Sequence, residues 1–232
     1  MHQLIQEFFN VRVIRTMFPG IVGEAMKNTI VFTVFSFVGG IVLGMVLALM
    51  RIGRTRTLRW SAAVYIDLLR GLPALLTIVF IGFGLPIALG VRFPYERYTP
   101  GCLALSLVYG AYIAETIRAG IEAVPRGQME AARSLGMPYR TAMRRVVVPQ
   151  AFRIVIPPLT NELLALFKDT SLLAVLGTVA GGKEILKFSR DLVNTNANTS
   201  PLVAGGIAYL VITLPMLQVV GWLERRSKAG RR

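Results

Sequence analysis

Five long apolar stretches dominate this chain of 232 residues: about 28–50, 61–85, 99–117, 154–179 and 202–223. Each reaches the ~18 residues that an α-helix needs to cross the hydrocarbon core of a bilayer. Inside lipid every backbone N–H and C=O must be paired within the protein, which leaves helices or closed barrels. The runs are continuously apolar and lack the in-out alternation of a barrel strand, so helices are expected. With hydrophobic residues at 54% of the chain, the expected fold class is an all-α membrane protein with five transmembrane helices and no separate soluble core. The first run is too long, and too far from the N-terminus, to read as a cleaved secretion signal. Before it, Ile5, Phe8, Phe9, Val13 and Ile14 could line one side of a helix that also carries Glu7, Arg12 and Arg15. Residues 1–27 are therefore expected as an interfacial segment, 28–223 as the membrane domain and 224–232 as a basic tail.

Charge supplies an orientation. Sixteen Lys and Arg residues lie in the loops after the first and third runs and in the tail, against eight on the opposite side. Because positively charged loops stay in the cytoplasm, the N-terminus is expected outside and the C-terminus inside. This clustering at span ends also accounts for the net charge of +14. No basic stripe with interleaved aromatics is present, so nucleic acid is not an expected partner. A single cysteine, Cys102, and a single histidine, His2, exclude an intrachain disulfide and the paired-ligand zinc motifs. The segment from Gly177 to Glu184 approaches the phosphate-loop pattern, with Gly182-Lys183, but ends in glutamate where a magnesium-binding hydroxyl is needed. No strand is expected before it, and the charge count places it outside. It is expected as a flexible exit from the fourth run, with Lys183 near the head groups.

Within the loop at about 122–150, Glu130 to Leu135 is a good helix former, Gly136 suits the left-handed residue that closes a helix, and Pro138 suits the first turn of the next. Two short helices meeting at a tight corner are expected. Glu130 and Arg133 share a face of the first, while Arg140, Arg144 and Arg145 lie on the second. The full spacing, Glu130-Ala131-Ala132, three residues, Gly136, nine residues, Val146-x-Val148-Pro149, resembles the EAA loop of bacterial ABC importer permeases. Val146 and Val148 stand where that family more often has Ile and Leu, which keeps a branched apolar side chain. The resemblance implies a cytoplasmic coupling element, in which Glu130, Ala131, Ala132, Arg133, Gly136, Arg140 and Arg144 contact a separate ATPase subunit.

Ionisable groups in or near the runs are costly unless paired or facing a cavity, so Asp67, Arg70, Glu115, Glu162, Lys168 and Asp169 are candidate pathway residues. Asp67 with Arg70, and Glu115 with Arg118, are spaced for intrahelical ion pairs. Lys168 and Asp169 point about 100° apart on a helix. Gly71 and Pro73 interrupt the second run, and Pro157 and Pro158 loosen the start of the fourth. A solute carrying both charges would find a cation for its anionic group and a carboxylate for its cationic one there.

The segments Tyr65 to Pro73, Ala111 to Ile121 with Val124 to Gln128, and Asn161-Glu162 followed by Lys168 to Leu172 resemble permeases of the polar amino-acid group. Asp67 stands where that group more often has Glu. The resemblance adds Asn161 to the pathway candidates. It implies a multi-pass subunit of the bacterial plasma membrane, paired as a homo- or heterodimer about a two-fold axis. It further implies two cytoplasmic ATP-binding subunits that hold ATP and magnesium, an extracytoplasmic substrate-binding protein, and an amino-acid substrate. No cofactor and no covalent chemistry are expected on this chain. An ion-coupled secondary transporter is the alternative, but five spans do not divide into the inverted halves it requires. A scaffold using the elbow only for docking is a third reading.

Overall fold

The computed structural model describes residues 7–96, 98–177 and 182–229, and within them the chain is helical with no strand. Helix α1 runs unbroken over Val11–Ile52, started by Asn10, whose side chain accepts a hydrogen bond from the Val13 N–H. Residues 11–25 and the first apolar run thus form one helix, passing through a π-turn at Ile21–Ala25. Helix α2, Arg56–Gly71, ends where Leu72 turns extended ahead of Pro73, and helix α3, Ala74–Leu89, leaves at 104°. The cause is local, because the ring of proline disfavours helical geometry in the preceding residue.

Helix α4, Thr99–Glu122, is the centre of the molecule. Tyr109, Ala111, Ile113 and Ala114 are buried along it. Its closest neighbour is α1. A Cβ built on Gly44 would lie within 3.0 Å of the Gly110 carbonyl and 2.8 Å of Ile113, so the two backbones meet only because a hydrogen stands there. Helix α2 joins the same core through Ile66 and through Tyr65, whose hydroxyl donates to the Leu107 carbonyl at 3.0 Å.

After α5, Arg126–Ser134, the chain enters a long helix, α6, residues 139–169. It begins as Tyr139–Ala142, widens into a π-turn at Met143–Val147 and continues as Val148–Asp169. The second helix of the elbow is therefore not short, as expected, but the foot of this long one. The π-turns at Phe80–Gly84 and Met143–Val147 each fall just before a proline, Pro86 and Pro149, and a widened turn absorbs a ring that lacks an N–H. Pro157 and Pro158, expected to loosen the helix start, lie inside α6 instead. The chain then tightens into the 3-10 segment Thr170–Leu176. Helix α7, Ile185–Asn196, and helix α8, Ser200–Ala229, complete the fold. Of the phosphate-loop-like segment, 178–181 lie outside the described residues.

By length and composition three helices can cross a membrane, Val11–Ile52, Thr99–Glu122 and Ser200–Arg226, and a fourth span arises if the bent α2–α3 pair is one crossing. Helix α6 is not among them, since Asn161, Glu162, Lys168 and Asp169 interrupt its apolar surface.

The α7 end is fastened by polar side chains. Glu184, 1% exposed, accepts from the Leu186 and Lys187 N–H groups at 2.6 and 2.5 Å and from the Tyr209 hydroxyl of α8 at 3.0 Å. Beside it, Asn28 of α1 donates to the Lys183 carbonyl and accepts from the Tyr98 hydroxyl. Lys183 and Lys187 both pair with Asp191 at 2.6 Å.

Candidate functional site: a charged cluster and an exposed elbow

The break after α2 places Arg70 at the end of a helix, and its guanidinium sits 5.4 Å over the ring of Tyr112 on α4. Such a contact is worth about 0.5–2 kcal/mol, depending on how dry it is. The expected Asp67–Arg70 ion pair does not form among the described residues; Asp67 is exposed and Arg70 turns to the aromatic face instead. One turn along α4, the ring of Tyr109 lies 5.9 Å from that of Tyr112. Tyr109 is 3% exposed and donates its hydroxyl to Asp169 Oδ2 at 2.9 Å, bridging α4 to the end of α6. A hydrogen bond to a carboxylate contributes about 1.5–3 kcal/mol.

Glu162, two turns earlier on the same face of α6, has Arg70 as a neighbouring cation and lies near the Thr116 hydroxyl. Arg70, Glu162 and Asp169 are thus brought together by α2, α4 and α6 with Tyr109, Tyr112 and Thr116 between them. Of the other candidates, Glu115 lies at the edge of this cluster with Arg70 among its neighbouring cations, and Asp67, Asn161 and Lys168 take no part in it. Glu115 forms the expected pair with Arg118, which grips it with Nε at 2.9 Å and with Nη2, and also reaches Glu122 at 2.5 Å. Asn161 donates to Glu224 of α8 at 3.3 Å. Lys168 is exposed beside the half-buried Asp169, as their angular separation requires. Tyr109, Tyr112 and Thr116 escaped the sequence reading, which sought charges; their signal was the spacing of three and four residues that aligns them on one face of α4.

The second candidate is the elbow. Gly136 adopts φ +83°, and around it the Met137 N–H bonds the Ala132 carbonyl while the Gly136 N–H bonds that of Arg133. These are the paired bonds of a Schellman helix end, which requires a left-handed residue at this place. Pro138 then precedes the first turn of α6 as its cap. Glu130 and Arg133 share a face without an ion pair among the described residues, and Arg133 reaches the Met137 carbonyl. Beneath the corner, Val124, Val147 and Ala151 form a small core with Met129 and Met143, and Gln150 bonds Gln128. Arg54, in the α1–α2 connection, lies 5.6 Å over the Tyr139 ring. Ala132 is buried toward that core, whereas Glu130, Ala131, Arg133, Gly136, Arg140 and Arg144 face out, with Leu135 81% exposed at the tip. A bare leucine on an elbow that carries several exposed arginines is a surface suited to a partner protein.

Residues 40–229 match the family described as the inner membrane component of binding-protein-dependent transport systems. The chain is 40% identical over 205 residues to a probable glutamine ABC transporter permease of Bacillus subtilis, covering 88% of this chain and 91% of that protein. This chain belongs to the amino-acid ABC importer permeases. Another relative of this permease, the arginine transport system permease of Bacillus subtilis, is 35% identical over 207 residues, with 89% and 92% of the two chains covered. Among solved structures, a chain of an amino acid ABC transporter with histidines superposes with TM-score 0.83 at 31% identity, covering 91% of the permease and 95% of that chain. A permease of this family is a multi-pass protein of the bacterial plasma membrane and works with ATPase subunits and a substrate-binding protein.

Proposed function

We propose that this permease, with a second copy or a close relative about a two-fold axis, forms the pathway by which polar amino acids are imported at the expense of ATP bound to two separate cytoplasmic subunits. The chain crosses the membrane five times, α6 included, with its N-terminus outside and the elbow and C-terminus in the cytoplasm. A binding protein delivers substrate from outside. The observation that carries this reading is the elbow: a Schellman corner with exposed Glu130, Arg133, Leu135, Arg140 and Arg144, continuous with the helix that bears Glu162 and Asp169. ATP closes the ATPase pair and draws the two elbows together, turning the pathway outward; hydrolysis releases them. The work comes from the difference in ATP affinity between the two arrangements.

In the pathway Arg70 attracts the substrate carboxylate, and Glu162 and Asp169 attract its ammonium group. The relatives named for glutamine and arginine favour polar amino acids as the substrate class. Reconstitution of the complex in vesicles tests the proposal. Uptake of labelled glutamine or arginine that requires ATP on the elbow side, and stops when the ATPase subunits are omitted, is the expected result. Uptake driven by an ion gradient alone would overturn it.

A further inference from the structure

A cavity of about 410 Å³ lies between the last turns of α3, the 91–98 connection, the first turn of α4 and the 3-10 segment. Its floor is apolar, made by the half-buried Phe93 and Leu176, with the buried Phe32 of α1 and Leu173 behind them. Its rim carries two exposed side chains of opposite sign, Arg92 and Glu96, and neither belongs to an ion pair among the described residues. None of Arg70, Tyr109, Glu162 and Asp169 lines it, so it is separate from the charged cluster. Its size is that of a small-molecule site, with an apolar wall and a few polar groups that fix orientation.

We infer that this cavity binds a zwitterion, its anionic group at Arg92, its primary ammonium at Glu96 and a short apolar body against Phe93 and Leu176. A lone cation or anion would leave one rim charge unanswered, and a neutral apolar ligand would leave both. In the orientation proposed above, on which this inference rests, the 91–98 connection faces outward. Two sources then carry the same chemistry: a free amino acid on its way in, or the headgroup of phosphatidylethanolamine from the outer leaflet. Occupancy reaches the charged cluster mechanically, because Leu173 and Leu176 stand four and seven residues after Asp169 on the 3-10 segment. A filled cavity props that segment in place.

The full chain, purified with its ATPase subunits, is placed in nanodiscs of phosphatidylglycerol alone or with phosphatidylethanolamine. Binding of labelled L-glutamine and L-arginine is measured by scintillation proximity, and lipid retention by native mass spectrometry. The double variant Arg92→Gln, Glu96→Gln, altered only at exposed positions, is expected to bind the occupant roughly tenfold more weakly. The variant Val91→Trp, which fills the cavity without touching its charges, is expected to do the same. Amino-acid binding lost from discs of phosphatidylglycerol alone identifies the free amino acid; phosphatidylethanolamine retention lost instead identifies the headgroup. Equal retention of both probes by wild type and the two cavity variants overturns the inference. ATP-driven uptake followed in parallel keeps the two readings apart: a transporting complex with unaltered cavity variants sinks the cavity alone, and a wild type that never transports sinks the importer.

Discussion

A side chain at Gly136 would force a Cβ into the left-handed region, at a cost of about 1–2 kcal/mol and more for a β-branched residue. At φ +83° and with open space around it, the strain there comes from the backbone and not from a clash. Gly136→Val is therefore expected to insert normally yet distort the Schellman corner, so that ATP hydrolysis continues while uptake per ATP falls several-fold. Parallel phosphate-release and uptake assays on reconstituted vesicles measure that ratio, and an unchanged ratio would remove the elbow from the coupling. Glu184 makes a second prediction at this scale. Burial pushes its carboxyl up to about 7, against the Leu186 and Lys187 N–H groups and the Tyr209 hydroxyl, which favour the ionised form. The folded chain thus holds this proton more tightly than the unfolded one, whose carboxyl titrates at the ordinary 4.5. Its stabilisation is complete below that value and is lost as pH rises toward about 7, by about 1.4 kcal/mol per unit. Thermal unfolding between about pH 5 and about pH 8 should show a falling midpoint in the wild type and a flatter one in Glu184→Gln. Gly136 was legible in the sequence because only glycine is at ease in such a turn. Glu184 was not, since its third donor comes from Tyr209, 25 residues away.

Between elements, the tightest dependence is that of α1 on α4. Gly44→Val would drive a branched side chain against Ile113 and the Gly110 carbonyl, and overpacking of this kind costs about 1–3 kcal/mol. A lowered melting temperature in detergent, with a smaller loss for Gly44→Ala, is the expected outcome; an unshifted melt would mean that the two helices do not pack this closely. The bend between α2 and α3 could be read from Gly71 and Pro73, because proline acts on its immediate neighbour. The reach of α6 could not. Pro157 and Pro158 read locally as a loosened start, whereas helices packed among neighbours tolerate proline, and the π-turn ahead of Pro149 takes up its ring. The partners of the candidate charges were equally hidden. Spacing proposed Arg118 for Glu115 correctly, but Arg70 left Asp67 for Tyr112, a choice made by tertiary packing that no i,i+3 rule contains.

For the whole molecule the asymmetry of Lys and Arg predicts an orientation that labelling can read. In a Cys102→Ser background, a cysteine placed at Glu96 is expected to react with a membrane-impermeant maleimide from outside intact cells, while one at Glu130 reacts only after the cells are opened. Labelling of the Glu130 position from outside would reverse the orientation and take the elbow away from any cytoplasmic subunit. The α6 helix gives this orientation its meaning. It leaves the corner at Pro138 and ends at Asp169, about 31 residues and so roughly 46 Å of one continuous rod. The helix runs from the corner to the carboxylates without a break in its assignment, and the π-turn at Met143–Val147 and the Pro157–Pro158 pair are the places along it where it can bend. In the importer proposed above, a push at the foot would reach the tip as tilt and rotation, and changes in the widened turn at Met143–Val147 would alter how much of it arrives.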